Sequence, residues 1–480
     1  MNDLSRRSLI ASAAGLAFGG FAHAANTTPG QIQVDRYSSE IAGYGPLKTD
    51  PFGVFDLPEG FSYTAFSRAG EAMSDGLVTP YKADGMGCFG LDRDRVALVR
   101  NHELKMADVD YGAFGVGHAF ESRVDPRLIY DRYLDDNRAL NGGTTTLVYN
   151  LRTRRMESSH LSLVGTMVNC AGGVTPWGSW LTCEEVVQPA GRQGTGPSSG
   201  KTHGWVFEVP SGLRGLADPV PLTGLGRFKH EACCIDPRTG IVYLTEDEGA
   251  SLFYRFLPND RRNLRAGGRL QALGFKDSPA GGDSRNWNGP DWTVGGQRDV
   301  VWIDLDGTDN PNNDLAKRGQ ARGAAFFARG EGVFFGRDEL FFTCTSGGKD
   351  RLGQIMRYRP SRFEGQAGER DAPGRLELFV ESHDKSLLHM PDNVAISPWG
   401  HLIVCEDKAE AGGINYLKAV TPQGKTYTIG RQAAPGASDV GANSELAGCC
   451  FSPDGSTLFV NVYFPGVTLA ITGPWSRLAG

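Results

Sequence analysis

Short apolar runs separated by tight polar turns dominate the chain, and helical periodicity is sparse. One unit recurs: a polar or cysteine-bearing segment, an apolar run, a glycine-containing turn, and a second run rich in β-branched and aromatic residues. This order is typical of a β-hairpin, because glycine adopts the positive φ that a tight turn requires. Four copies are clear and two are looser, and their first strands start near residues 84, 170, 231, 331, 392 and 445.

The spacing of these units predicts the architecture. Successive starts are 53 to 100 residues apart, which suits hairpin-based blades that carry loop insertions. We therefore predict an all-β fold, a six-bladed β-propeller with a metal site at the mouth of its central channel. A β-sandwich or a β-helix built from the same hairpins is the alternative. Segments 187–204 and 257–299 are rich in Gly, Asp and Asn and predict loops, and no linker divides residues 25–480 into two domains.

Acidic residues recur at a fixed distance from the turn glycines. Six positions after that glycine, three clear copies have an acid and the fourth has an amide: Glu184, Glu246, Glu406 and Asn461. Each copy also has a polar residue at the start of its first strand: Cys170, Glu231, Asp392 and Glu445. The start of the first strand and the end of the second strand lie at the same end of a hairpin. Both sets are therefore expected at one face of the fold.

Carboxylates that converge at one face predict a cation cluster. They repel one another and are costly to desolvate without counter-charge, and hard oxygen ligands favour calcium or another hard ion. The candidate ligands by position are Glu103, Glu184, Glu185, Glu231, Glu246, Asp247, Glu331, Asp392, Asn393 and Glu406. For any one of these acids, the alternative to a metal ligand is a solvent-exposed residue in a loop. No HExxH or other zinc-protease spacing is present.

Two further residue types bear on the chemistry. Cys170 and Cys183 lie nearly opposite each other across a predicted turn, so a cross-strand disulfide is one interpretation. The other is that Cys170 is a thiolate ligand, whose softness favours iron or zinc over calcium. Arg329 lies two residues before Glu331, where its guanidinium could bind an anionic substrate, although a surface arginine has the same spacing.

Composition excludes several classes of function. The 480 residues are 40% hydrophobic and 22% charged, which is ordinary globular usage, and 49 Lys and Arg against 55 Asp and Glu give a net charge of −6. The acidic balance and the lack of a long basic run disfavour nucleic acid as a partner. No run approaches the ~20 apolar residues of a membrane span. A nucleophile elbow, a P-loop and a dinucleotide fingerprint are also absent from the sequence.

The first 24 residues have the pattern of an export signal. Arg6 and Arg7 precede a weakly apolar stretch, and Ala22-His23-Ala24 supplies small residues for cleavage. We predict a twin-arginine signal at residues 1–24. The twin-arginine export machinery is then a partner, and the mature chain is periplasmic or secreted. We also expect a monomer.

Several motifs, taken in order, resemble those of the PhoX family of secreted alkaline phosphatases. They are Arg100-Asn-His-Glu103, Gly142-Gly-Thr-Thr-Thr146, Asn169-Cys-Ala-Gly-Gly173, Thr175-Pro-Trp-Gly178, Leu181-Thr-Cys-Glu-Glu185, Gly226-Arg-Phe-Lys-His-Glu231 and Phe451-Ser-Pro-Asp-Gly455. The resemblance spans about residues 80 to 465. The sequence departs from the family pattern at Tyr463-Phe464-Pro465-Gly466, where many relatives have Gln-His-Pro-Gly. This difference bears on the range of substrates.

The resemblance implies a fold, a set of cofactors and an activity. It implies a six-bladed propeller whose mouth holds two ferric ions and calcium ions joined by an oxo bridge, and which hydrolyses phosphate monoesters. Cys170 resembles the iron-ligating cysteine of the family, and Glu231 and Glu331 resemble its bridging or iron-binding glutamates. Arg329 resembles its substrate-binding arginine. Glu184, Glu185, Glu246 and Glu406 would complete the iron and calcium shells.

The sequence therefore favours a metal-dependent phosphomonoesterase with Arg329, Glu231 and Glu331 as its catalytic residues. Two alternatives stay open. One is a calcium-dependent propeller hydrolase of another class, such as a lactonase or a phosphodiesterase. The other is a propeller that binds a ligand at its mouth without catalysis.

Overall fold

A computed structural model describes residues 37–192, 198–289, 291–408, 413–433 and 444–478. The predicted signal at residues 1–24 lies outside this set. Within it the chain forms 26 strands and one α-helix, α1 (Leu315–Ala321). Short 3₁₀ helices occupy Val116–His118, Glu121–Arg123, Pro126–Leu128, Thr223–Leu225, Leu264–Ala266, Ala367–Arg370 and Trp475–Leu478.

The first fifteen strands lie between residues 47 and 304. They are β1 (Leu47–Lys48), β2 (Phe55–Pro58), β3 (Ser62–Phe66), β4 (Ala83–Gly90), β5 (Arg95–His102), β6 (Gly142–Asn150), β7 (Arg155–Thr166), β8 (Asn169–Val174), β9 (Ser179–Glu184), β10 (Val206–Pro210), β11 (His230–Ile235), β12 (Val242–Glu246), β13 (Phe253–Pro258), β14 (Gly268–Phe275) and β15 (Gln297–Asp304).

The remaining eleven strands lie between residues 330 and 472. They are β16 (Gly330–Phe335), β17 (Leu340–Cys344), β18 (Gln354–Arg359), β19 (Arg375–Glu381), β20 (Pro391–Ile396), β21 (Leu402–Glu406), β22 (Tyr416–Val420), β23 (Thr426–Gln432), β24 (Leu446–Phe451), β25 (Thr457–Val462) and β26 (Val467–Thr472).

The strands form five antiparallel sheets. Strands β4 to β7 make one meander, and β8 to β10 make a shorter one. The nine-stranded sheet consists of two meanders, β11 to β14 and β16 to β19, which are joined because β15 pairs with both β14 and β19. Strands β20 to β23 are extended by β2 and β1. The last sheet is closed by an N-terminal strand, since β3 pairs with β26.

The first strands of these meanders surround a common axis. In circular order β4, β8, β11, β16, β20 and β24 each contact the next, and β24 contacts β4 again. Apolar residues of neighbouring meanders pack into buried clusters around this circle. The expectation of an all-β, propeller-like fold is confirmed. Neither a two-sheet sandwich nor a β-helix gives such a closed circle.

One predicted loop was wrong. Segment 257–299 contains the whole of β14, whose residues 270–275 are buried and pair with a strand on each side. The glycines that suggested a loop flank this apolar run. Among the described residues, no helix combines the length and apolarity needed to cross a membrane.

The inner part of the channel is apolar. A cavity of about 220 Å³ is lined by the same six first strands, beyond their initial residues. The Cys233-Cys234 and Cys449-Cys450 pairs belong to this lining and are buried. Polar chemistry is therefore concentrated at the opposite end, where the first strands begin.

Candidate metal centre

A β-bulge interrupts the beginning of each of the six first strands. The pairing register shifts there, so that extra residues oppose the second strand. Five bulges begin their unpaired segment with an acid or a thiol: Asp84, Cys170, Glu231, Glu331 and Asp392. The sixth has Gly448 at that position. A bulge re-aims a side chain relative to the regular pleat, so the same device orients all five groups.

Backbone strain precedes four of these five residues. Two positions before each, a non-glycine residue has a φ between 51° and 52°: Lys82, Val168, Arg329 and Met390. The left-handed region disfavours residues with a Cβ, and a β-branched valine most of all. The repetition of this conformation shows that the approach to each bulge is a built feature of the fold.

Hydrogen bonds between adjacent meanders fix the bulges further. Side chains of second strands donate to the backbone carbonyl of the bulge residue in the next meander, which holds that residue in place. The pairs are Asn101 to Cys170 at 2.9 Å, Thr245 to Glu331, Thr343 to Asp392 at 2.8 Å, and Asn461 to Asp84 at 2.5 Å. Asn461 is thus a link that closes the circle, not a ligand position.

The bulge residues and their neighbours form three groups that could hold metal ions. In each group the candidate ligand atoms all lie within 4.8 Å of one another. The thiolate group is Cys170, Glu185 and Glu231; the carboxylate group is Glu231, Glu331 and Asp392; and the rim group is Asp84, Glu103 and Glu445. Glu231 belongs to two of the groups, so its carboxylate lies close to the candidate ligand atoms of both.

Glu231 is the strongest indication that cations belong here. Its side chain is fully buried, and neither carboxylate oxygen accepts a hydrogen bond of normal geometry. Burial raises the pKa of this carboxyl well above its usual range, and the charges of Asp392 and Glu185 raise it further. An ionised carboxylate buried without a partner is costly, whereas a bound cation supplies the missing charge.

Cys170 shares this environment. Its thiol is free and buried, and burial raises its pKa, to which the carboxylate of Asp84 adds. A thiolate at this position therefore requires positive charge nearby, and metal coordination supplies it. The residues present thus fit a metal cluster with one soft and several hard ligands.

The other members of the three groups also have raised pKa values. Burial is the main cause of a raised pKa in Asp84, Glu103, Glu185, Glu331 and Glu445, and nearby carboxylates contribute to each of these increases. Burial and the charge of Asp407 raise the pKa of Asp392 to about 7. Cations bound among these groups would stabilise their ionised forms.

Arg329 borders the carboxylate group. Its guanidinium donates to both oxygens of Asp247, at 2.9 and 3.2 Å, and one nitrogen lies 2.5 Å from Glu331 Oε1. The charge of Glu331 is the largest cause of the raised pKa of Arg329. The arginine side chain is 31% exposed, so an anion entering the mouth can reach it. Asp247 is in none of the three groups and orients this arginine instead.

Three of the predicted ligands lie outside the three groups. Glu184 is fully buried, and the amides of Gly204 and Trp205 donate to it at 2.8 and 3.1 Å. His203 Nδ1 lies 2.6 Å from the same carboxylate. Burial alone would lower the pKa of His203, but the charge of Glu184 raises it to about 9. Glu184 therefore anchors a loop.

Glu246 and Glu406 do the same in their own meanders. Glu246 accepts hydrogen bonds from the amide of Leu252 at 3.0 Å and the hydroxyl of Tyr254 at 2.8 Å. Glu406 accepts the amide of His389 at 2.9 Å and lies 3.0 Å from Lys408 Nζ. Successive side chains of a strand face opposite sides, so an acid that faces its own loop leaves the next residue to face the mouth.

Asn393 also lies outside the three groups, and Cys170 and Cys183 do not form the possible disulfide. The Asn393 amide donates to Asp392 at 3.0 Å and accepts the amide of Gly448 at 2.7 Å, so it braces the bulges and is absent from the three groups. Cys170 and Cys183 are both free thiols. The bulge at Cys170 breaks the regular cross-strand pairing, and Cys183 is instead buried in an apolar cluster.

Four residues at the mouth were not among the predicted ligands. Asp84 and Glu445 belong to the rim group, and each starts a recognised hairpin unit. The start of the first strand is therefore the signal that identifies both. Lys105 Nζ lies 3.8 Å from Glu103, which is the largest cause of its raised pKa, and the Tyr463 hydroxyl donates to Glu103. No spacing rule pointed to either of these two.

Comparison with known proteins places the chain in a family. A model of the family described as alkaline phosphatase PhoX matches residues 42–466. The structure of Pseudomonas fluorescens PhoX in complex with vanadate, a transition state analogue, is similar with a TM-score of 0.65 and 19% identity, covering 91% of this chain and 98% of that chain. A gluconolactonase from Xanthomonas campestris has a TM-score of 0.38 and 14% identity, with 90% of this chain and 98% of that chain covered. No curated protein sequence matches the chain. Since the family model spans most of the 480 residues, the chain belongs to the alkaline phosphatase PhoX family.

Proposed function

We propose that this protein is a metal-dependent phosphomonoesterase that releases phosphate from organic phosphate esters at the channel mouth. The observation that carries the proposal is Glu231, a buried carboxylate without hydrogen-bond partners that belongs to both the thiolate group and the carboxylate group. Arg329 borders the second of these groups and is partly exposed. Membership of the alkaline phosphatase PhoX family supports the same activity.

The cofactors proposed are two ferric ions and calcium. The thiol of Cys170 in the thiolate group supports iron there, because calcium does not favour soft sulfur ligands. Glu231 is shared with the carboxylate group, which supports a second iron beside the first. The rim group offers only carboxylate oxygens, the ligands that calcium prefers.

In this proposal the side chains at the mouth bind and orient the ester. Bound cations would supply electrostatic stabilisation of the phosphoryl oxygens and activation of water. Arg329 would donate to the phosphoryl oxygens, and Asp247 would keep the guanidinium plane fixed through two hydrogen bonds. The ammonium group of Lys105, next to Glu103, would add positive charge on the opposite rim. Such prearranged charge favours the transition state of phosphoryl transfer.

We also propose that the propeller has six blades and that its metal site lies at the channel mouth. The closed circle of β4, β8, β11, β16, β20 and β24 supports the count. In this interpretation the nine-stranded sheet is two blades joined at β15. The common bulge position in all six strands supports the placement of the site.

The first test combines elemental analysis with hydrolysis of an aryl phosphate by the purified protein. We expect iron and calcium in the wild type, and loss of iron together with phosphate release in Cys170→Ala. Cys183→Ala is the matched control, because Cys183 is also a free buried thiol but lies in an apolar cluster. Calcium alone without phosphate release would instead favour a calcium-dependent lactonase or phosphodiesterase. No turnover on any ester would favour a binding protein.

Export and association remain predictions. Fractionation of cells that produce the full chain should place the mature protein in the periplasm or medium, and replacement of Arg6 and Arg7 by lysine should retain it inside. Size-exclusion chromatography with light scattering should give the mass of a monomer.

A further inference from the structure

Three aromatic side chains form a cluster beside the rim group. The rings of Tyr81 and Tyr111 are stacked, with centroids 4.7 Å apart and an interplanar angle of 23°. The ring of Phe464 lies 6.2 Å from each of them. Tyr111 is 37% exposed and the other two are half-buried. The cluster therefore presents apolar ring surface to solvent.

Backbone hydrogen bonds tie this cluster to the proposed metal ligands. The amide of Ala83, next to Asp84, donates to the carbonyl of Tyr463 at 3.0 Å. Tyr463 precedes Phe464, and its hydroxyl donates to Glu103. Two of the three rim carboxylates are therefore connected directly to the segments that carry the aromatic rings.

The cluster is also held in place on its outer side. The amide of Tyr81 donates to the carbonyl of Tyr111 at 3.0 Å. The loops that carry these two residues are joined again by the ion pair between Lys82 and Asp108 at 2.8 Å. Rings fixed in this way lose little conformational freedom when a ligand packs on them.

We propose that the Tyr81, Tyr111 and Phe464 cluster binds the leaving group of the ester and favours a flat aromatic group over a small aliphatic one. This inference rests on the proposed phosphatase function and names its substrate class. A phosphoryl group bound at the metal cluster would project its ester substituent past the rim. There an aromatic substituent would stack on or pack edge-on against the exposed rings.

The test compares 2-phenylethyl phosphate with ethyl phosphate. Both leave as primary alcohols, so the chemical step is similar and the difference reports contact with the substituent. We expect the wild type to have a KM about 2- to 10-fold lower for the phenylethyl ester, the size of one aromatic contact. Tyr111→Leu and Phe464→Leu should remove most of this difference, with kcat for both esters and KM for ethyl phosphate unchanged.

Phe52→Leu is the matched control. Phe52 is 83% exposed and precedes β2, which three strands separate from the inner strand β20. Its replacement should leave the KM ratio of the two esters unchanged. Equal KM values for both esters in the wild type, or an unchanged ratio in both Tyr111→Leu and Phe464→Leu, would overturn the inference.

A binding measurement separates this inference from the proposed function. Calorimetry with the non-hydrolysable 2-phenylethylphosphonate and ethylphosphonate requires no turnover. Tighter binding of the aromatic phosphonate, lost in Tyr111→Leu, would support the aromatic site even if neither ester were hydrolysed. In that case only the phosphatase proposal would fail. Equal binding of the two phosphonates would overturn the aromatic site itself.

Discussion

The fold contains two neighbouring sets of buried carboxylates. One set binds loops at the ends of second strands, and the other faces the mouth. The anchor set is Glu184, Glu246 and Glu406, and the channel set is the carboxylates of the three groups of possible metal ligands. Glu184 is surrounded by amides and a histidine, whereas both oxygens of Glu231 have no hydrogen-bond partner. Both residues are 0% exposed.

The difference teaches that burial alone does not identify a metal ligand. A buried acid surrounded by hydrogen-bond donors already has its counter-charge and stabilises the fold. A buried acid surrounded by other acids lacks counter-charge and requires a cation from outside. The two sets should therefore respond differently to mutation, metal removal and pH.

Glu231→Gln should have the largest effect. An amide cannot bridge two cations as a carboxylate does, so we expect loss of bound iron and a fall in kcat of at least about 10³-fold. Glu246→Gln is the control, because it changes a buried carboxylate of the anchor set at the end of the neighbouring strand β12. Elemental analysis and steady-state kinetics on both variants measure the contrast. Equal losses of iron and activity would contradict the division into two sets.

Glu184→Gln should affect stability instead of metal content. The substitution removes one of the two carboxylates that His203 contacts and leaves Asp131, 3.0 Å from its Nε2, so we expect a cost of about 1 to 3 kcal/mol. Chemical denaturation should show this fall in the free energy of unfolding. The folded fraction should still bind its full complement of metal, and a loss of metal without a loss of stability would place Glu184 in the channel set.

Arg329→Ala should lower kcat/KM by about 10²-fold, since it removes prearranged positive charge next to the phosphoryl oxygens. Metal content should be unchanged because the arginine is not a ligand. Lys408→Met is the matched control, as Lys408 is a nearly buried cation that pairs with Glu406 of the anchor set. Steady-state kinetics should show near-normal kcat/KM in the folded control, and a comparable loss there would contradict the distinction.

The sequence predicted the fold class and the end of the fold at which the three groups lie. Turn glycines and β-branched runs are local signals, and they identified the six hairpin units from Asp84 to Glu445. The start of the first strand also located Cys170 and Glu231 correctly within the three groups. These successes rest on the two-residue period of strands and the geometry of hairpins.

The exact ligand at the end of each second strand could not be predicted. The sequence placed Glu184 and Glu246 among the candidates together with their neighbours Glu185 and Asp247. The structure separates them, because Glu184 and Glu246 bind their own loops, Glu185 belongs to the thiolate group and Asp247 binds Arg329. A bulge inserts residues on the first strand only, so spacing along the sequence does not report which face an acid occupies. Gly448, whose amide donates to Asn393, belongs to a different meander and leaves no local signal near Asn393.

The last and smallest expected contrast between the two sets is in how stability depends on pH. Burial raises the pKa of both Asp392 and Glu246 to about 7, against about 4 in the unfolded chain. The folded protein therefore keeps protons that the unfolded chain has already released. Stability of the metal-free protein should therefore fall as the pH rises from about 4 to 7.

Bound iron and calcium should remove only the part of this pH dependence that belongs to the channel set. Bound cations favour ionised Asp392, so its contribution should vanish or reverse, whereas Glu246 is in none of the three groups and should keep its contribution. Glu246→Gln should then reduce the pH dependence that remains with metal bound. Thermal unfolding of the metal-free and the metal-loaded protein from pH 4 to 8 measures both parts. If bound metal left the pH dependence of the wild type unchanged, the carboxylates of the mouth would not be holding cations, and the contrast between the two sets would fail.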